Sequence, residues 1–115
     1  MYNTTYANGN RFSQANSYLI KEILDATPQV LLLKIYDFAI LNCQKKNMLK
    51  TNNALQELIN SLKFDENDPA VTEISTGLLR LYQFCQDQMR KQNYDIVYKI
   101  LSELRLTWAK AFNAE

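Results

Sequence analysis

The stretch from Thr27 to Ile40, Thr-Pro-Gln-Val-Leu-Leu-Leu-Lys-Ile-Tyr-Asp-Phe-Ala-Ile, constrains the fold more than any other part of the chain. Thr27 is suited to accept a hydrogen bond from a free backbone N–H, and Pro28 fits the first helical position, where its missing N–H costs nothing. A helix therefore starts near Pro28. On a 3.6-residue period Leu32, Tyr36, Ala39 and Cys43 form one apolar stripe, and Leu31, Ile35 and Phe38 form a second beside it. An arc that wide needs two neighbours. Either both belong to this chain, as most apolar faces do, or one face is left for a partner helix.

The rest of the chain supplies bundle neighbours. With 47% hydrophobic residues but only two Gly and two Pro in 115 residues, the tight turns of an all-β fold have little to be built from. A helix from about Ser13 to Asp25 carries Leu19, Ile20, Ile23 and Leu24, and the helix from Pro28 runs to about Lys46. A further helix spans about Thr51 to Leu62 on Leu55, Leu58, Ile59 and Leu62. After the acidic loop with Asp65, Glu66 and Asp68, the pair Asp68-Pro69 repeats the cap and first-turn signal. The helix it starts, to about Lys91, places Val71, Ile74, Leu78, Leu81 and Cys85 three and four residues apart, a bundle seam. The last helix, from about Tyr94 to Phe112, does the same with Val97, Leu101, Leu104, Trp108 and Ala111. Leu32, Ala39, Leu78, Leu81, Leu101 and Trp108 are expected in the core. Gly77, inside a helix, either permits a close contact or is simply tolerated at a cost of about 1 kcal/mol relative to Ala. The expectation is an all-α fold: an antiparallel four-helix bundle with a short additional N-terminal helix, in one domain behind a mobile leader at residues 1–10.

Composition removes several classes of function. Thirteen basic and twelve acidic residues give a net charge of +1 and no electrostatic footprint for nucleic acid or anionic lipid. No apolar run approaches the roughly 20 residues of a membrane span, and Met1 to Gln14 does not read as a secretory signal, so the expected location is cytoplasmic. Cys43 and Cys85 fall on core stripes and are expected to be reduced. The chain contains no His, the commonest general base and metal ligand. It also has no glycine-rich phosphate loop. The carboxylates Asp65, Glu66 and Asp68 sit in a polar loop with nothing beside them to raise a pKa. No enzyme, metal or cofactor is expected.

Six short pieces then carry a resemblance. Tyr18, Ala26-Thr27-Pro28 and Leu31-Leu32-Leu33-x-Ile35-Tyr36-Asp37-x-Ala39-Ile40 are followed by Ser61-Leu62-Lys63-Phe64-Asp65, Leu78-x-x-Leu81-Tyr82-x-Phe84 and Leu104-Arg105-x-x-Trp108. In this order they resemble the FliS family of flagellin-specific export chaperones across nearly the whole chain from Tyr18. Val30 stands where that family usually has an acid and Phe38 where it has Gly, so this helix is the more apolar. The segment from Asn93 to Trp108 is shorter than usual by about two helical turns, which roughly preserves its face.

The resemblance implies a binding protein that holds the C-terminal helical region of flagellin, prevents its premature polymerisation and passes it to the flagellar export apparatus. Helix-in-groove recognition with coupled folding suits such a client. The expected partner surface is Tyr18, Leu24, Leu31, Ile35 and Phe38, with Leu55, Ile59 and Leu62 nearby; Tyr18 and Tyr36 match family positions, and the others are chosen by face. Tyr2, Tyr6 and Phe12 in the leader are apolar anchors expected to cover part of the groove when flagellin is absent. The competing class is a structural bundle that uses the same surface to form a homodimer.

Overall fold

The computed structural model describes residues 28–113. Among the described residues there are four helices and no strand: α1 (Pro28–Gln44), α2 (Met48–Asn60), α3 (Pro69–Arg90) and α4 (Tyr94–Ala111). The expected helix from Ser13 to Asp25, Tyr18 and Leu24 on the expected surface, and the leader all lie outside them. The packing below is that of the compact unit that begins at Leu32.

Local chemistry sets the helix ends. Pro28 opens α1, and Asp68 caps α3 by accepting the Val71 N–H at 3.3 Å, with Pro69 in the first turn. Helix α2 begins three residues before the expected Thr51 because Asn47 accepts the Lys50 N–H at 3.0 Å. Two corners close in the same way. The N–H of Lys46 donates to the Cys43 carbonyl and that of Asn47 to the Asn42 carbonyl, both at 2.9 Å, while Gln92 and Asn93 repeat the pattern on Met89 and Gln88 at 3.0 and 2.9 Å. This is the Schellman closure, which needs a left-handed residue and normally uses Gly. Here Lys46 and Gln92 take it, with φ of 59° and 65°.

All four helices contribute to one apolar core. Tyr36, Ala39 and Cys43 come from α1, Ala54, Leu55 and Leu58 from α2, Tyr82, Cys85 and Met89 from α3, and Val97 and Leu101 from α4. The first stripe of α1 is thus core, with Leu32 packed against it. Helix α3 departs from expectation. Its inward face is Ser75, Tyr82, Cys85, Gln86 and Met89, with Leu78 packed on the core. Ile74 is 61% exposed, Val71 lies at the surface, and Leu81 is half-buried outside the core cluster. A three-four repeat can continue from Leu78 through either Leu81 or Tyr82, and the hydrogen bond waiting for the Tyr82 hydroxyl selects Tyr82. On α4, Ala109 is buried where Ala111 had been expected. Around Gly77 no atom lies within 4 Å of where a Cβ would stand, so it permits no close contact.

Several buried polar groups are bonded to neighbouring elements, whereas the buried Asn52 Oδ1 has no hydrogen-bond partner. Buried Gln86 donates to the Asn52 carbonyl at 3.2 Å and to Gln56 Oε1 at 3.3 Å, while Asn52 donates back to the Gln86 carbonyl at 3.1 Å, tying α2 to α3. Ser75 donates to the Lys63 carbonyl and Thr72 to the Asp65 carbonyl, fastening the acidic loop onto α3. Cys43 Sγ lies 3.4 Å from the Tyr94 carbonyl, joining the end of α1 to the start of α4. Both cysteines are free and buried.

Candidate partner-binding surface

Beside this core three aromatic residues, distant in sequence, meet through their polar atoms. Trp108 Nε1–H donates to the Tyr36 hydroxyl at 3.1 Å, and the Tyr36 and Tyr82 hydroxyls are hydrogen-bonded to each other. Tyr36 and Tyr82 are 0% and 2% exposed, so a hydroxyl there requires a partner. Trp108 also stacks on Phe112, ring centroids 5.6 Å apart. One residue along from Tyr36, the Arg105 guanidinium grips Asp37 with two bonds, Nε at 2.9 Å and Nη2 at 3.3 Å. Burial pushes Tyr36 well above the usual phenol range and raises Tyr82, keeping both neutral hydrogen-bonding groups.

Tyr82 and Trp108 line one side of an apolar groove of about 250 Å³. Its other walls are Leu32, Leu62, Val71, Ile74 and Leu78, with Ser61, Lys63 and Ser75 at the polar edge. A volume of that order accepts one or two bulky side chains rather than a large ligand. The exposure of Ile74 follows directly from the turn of α3 described above: with Tyr82 facing inward, Ile74 is left on the groove wall. Sequence reasoning missed Val71 and Ile74 as surface residues. The available signal was Ser75, a small polar residue at the three-four step before Leu78.

The expected partner residues divide. Phe38 is 48% exposed and Leu31 is 37% exposed. Ile35, Ile59 and Leu62 are half-buried and pack on the core; of these, Leu62 also lines the groove. Leu55 is 0% exposed and belongs to the core, not to a surface, because it sits at the centre of the α2 face that Leu58 and Thr51 flank. Phe38 does not line the groove, so the structure does not unite the α1 face with Leu62. Leu41, 48% exposed one turn beyond Phe38, was not singled out by sequence reasoning.

The thiols are poor candidates for nucleophilic chemistry. Burial, with Cys43 nearby, pushes Cys85 up to about 12, and burial followed by the charge of Asp95 raises Cys43. Among the described residues no three His, Cys, Asp or Glu side chains are grouped to hold a metal. No helix among them is long and apolar enough to cross a membrane. Compared with protein-family models, with curated proteins and with solved structures, the chain gives no match.

Proposed function

We propose that this protein is a flagellin-specific export chaperone: a cytoplasmic, non-enzymatic binding protein that holds the amphipathic C-terminal region of flagellin in apolar grooves, blocks premature polymerisation and serves the flagellar export apparatus. One observation carries the reading. The pieces Ile35-Tyr36-Asp37, Leu81-Tyr82-x-Phe84 and Leu104-Arg105-x-x-Trp108, which carry the resemblance, lie on three separate helices, and their residues meet in bonded contacts: Tyr36 with Tyr82 and Trp108, Asp37 with Arg105. The antiparallel bundle with a short N-terminal helix is part of this proposal; what supports it is the order of the contacts between α1 and α4, and the N-terminal helix lies outside the described residues. Cys43 meets Tyr94 at the start of α4, whereas the earlier residues Asp37 and Tyr36 meet the later Arg105 and Trp108.

The binding surface comprises the groove between Leu62 and Ile74 and the outer side of α1 at Phe38. Each Leu, Ile or Phe side chain that a client removes from water contributes about 1.5–3 kcal/mol when fully buried. A few such anchors offset the ordering cost of a disordered client while leaving release possible. Trp108, the chain's one tryptophan, lines the groove and supplies a fluorescence signal for its occupancy.

Titration with a flagellin C-terminal fragment, followed by light scattering and Trp108 fluorescence, tests the proposal. A one-to-one complex with a shifted emission is expected. A stable homodimer indifferent to the fragment would favour self-association instead. Ile74→Asp and Phe38→Asp should each weaken the complex at least about tenfold, or about 1.4 kcal/mol, with unfolding unchanged, since both side chains are exposed. Ile35→Asp is not an equivalent test, because Ile35 packs on the core and the variant would lose stability.

A further inference from the structure

Two corners of the bundle, α1 to α2 and α3 to α4, lie side by side. Cys43 Sγ at the end of α1 is 3.4 Å from the Tyr94 carbonyl at the start of α4, and the Lys46 ammonium lies over the Tyr94 ring, 5.9 Å from its centroid. Residues 43–50 and 87–95 are thereby gathered at one end, with Lys45, Lys46, Lys50, Arg90 and Lys91 among them. Their acids are Asp87, bound to Lys91 at 3.1 Å, and Asp95, which lines the same cleft as Lys46. Five cations and two acids leave a net charge of +3. Lys45, Lys50 and Arg90 are exposed, and no ion pair engages them among the described residues. Helix α2 then carries the chain away over 13 residues, about 20 Å, towards residues 63–73, where Asp65, Glu66, Asp68 and Glu73 face only Lys63 as a countercharge in that segment. The two ends nearly cancel in the whole-chain charge of +1, which is why no footprint for anionic lipid is visible in the composition. Leu49, between the lysines, is 66% exposed, more than any other large apolar residue described, and Met48 beside it is 41% exposed. The outward positions that continue the Leu49 side of α2 are Asn53, Gln56 and Asn60, so the apolar surface is confined to the tip.

We propose that this end of the molecule binds a lipid surface carrying anionic headgroups, with Leu49 entering the headgroup layer and the surrounding cations meeting lipid phosphates. Clusters of about four to eight Lys and Arg are the basic footprint such a surface attracts. A single protruding aliphatic side chain among cations suits a flat, fluid surface, whereas a partner helix needs an apolar stripe several turns long, which Asn53 and Gln56 interrupt. The acidic loop at the other end of α2 is repelled, so the same charge separation orients the molecule on the surface. Binding is reversible, because one aliphatic anchor and a few charges fall far short of a membrane span. The site shares no residue with the groove at Ile74 or with the Phe38 side of α1, so lipid binding and flagellin binding stand or fall separately.

Co-sedimentation of the full chain with vesicles tests it, using phosphatidylcholine alone and phosphatidylcholine with about a third phosphatidylglycerol. Sedimentation with the anionic vesicles only is expected, weakening at least about tenfold as salt rises from about 0.1 to 0.5 M. Lys50→Gln should weaken binding about fivefold and Lys45→Glu by more. Leu49→Ser should also cost about fivefold. All three variants should keep the wild-type unfolding midpoint, since these side chains are exposed. Lys110→Glu, in the last turn of α4 and away from the tip, should bind like wild type. Equal sedimentation with neutral and anionic vesicles, or with neither, would overturn the proposal. So would a Leu49→Ser variant that binds like wild type, or a loss in Lys110→Glu as large as that in Lys50→Gln, since either result would reduce the site to diffuse charge attraction. Capture by polyglutamate more tightly than by the anionic vesicles would overturn it in favour of an acidic protein partner.

Discussion

Replacing Tyr36 by Phe removes one oxygen and leaves two groups without their partner. Trp108 Nε1–H loses the acceptor it reaches at 3.1 Å, and the Tyr82 hydroxyl, on a side chain 2% exposed, loses the hydroxyl it faces. Trp108 is half-buried and lines a groove, so water can take over its N–H at small cost. Tyr82 borders the same groove but is only 2% exposed, so its hydroxyl has far less access to water, and an orphaned buried hydroxyl costs about 1–3 kcal/mol. Tyr82→Phe is milder, about 0.5–1.5 kcal/mol, because Tyr36 keeps its bond from Trp108. In the double variant neither hydroxyl is present to be stranded. Its destabilisation should therefore fall short of the sum of the two singles by about 1 kcal/mol, a coupling within the range for directly bonded side chains. Urea unfolding followed by far-ultraviolet circular dichroism measures all four corners of this cycle. In thermal scans Tyr36→Phe alone should lower the midpoint by several degrees, at about 4–8 °C per kcal/mol for a domain of this size. Strict additivity, or a Tyr82→Phe variant weaker than Tyr36→Phe, would refute the view that the Tyr36 hydroxyl is the hub.

Gly77→Ala should stabilise the protein by roughly 0.5–1 kcal/mol in the same urea assay, since a methyl group there meets no atom within 4 Å and the helix gains propensity. Gln92→Gly should also stabilise, by about 1 kcal/mol, because it relieves the left-handed strain at φ 65° that the corner between α3 and α4 imposes on a side chain. Alkaline titration should show stability full below about pH 9 and falling as pH rises. The Cys85 thiol ionises near its ordinary value of 9.0 when unfolded but only at about 12 when folded, so the unfolded state releases protons first. Tyr36 and Tyr82, also raised, add to the loss above pH 10, and Cys85→Val should make the slope shallower without removing it. Deleting residues 1–10 should tighten binding of the flagellin fragment in the titration above; unchanged or weaker affinity would rule out the leader as a cover.

Helix positions were legible because their signals are local. Asp68-Pro69 and Pro28 fix where two helices begin, and the stripe of Tyr36, Ala39 and Cys43 is buried as its period requires. The start of α2 was misplaced because its signal, Asn47, follows a left-handed Lys46 rather than the Gly that usually marks such a corner. The site was legible in part. Phe38 is a surface residue, as expected, whereas Leu55, chosen by face, is core. Period alone states that a helix has an apolar side; it does not state which of two adjacent apolar faces meets another helix.

By itself, then, the sequence determined four helices, a cysteine-bearing apolar core and short motifs far apart along the chain. Only tertiary structure decided that α3 turns Tyr82 inward and Ile74 outward. The reason is that Leu81 and Tyr82 satisfy the same three-four spacing, and the choice between them depends on a Tyr36 hydroxyl contributed by another helix. That rotation builds the groove, brings Tyr36, Tyr82 and Trp108 together, and could not be read from any one segment.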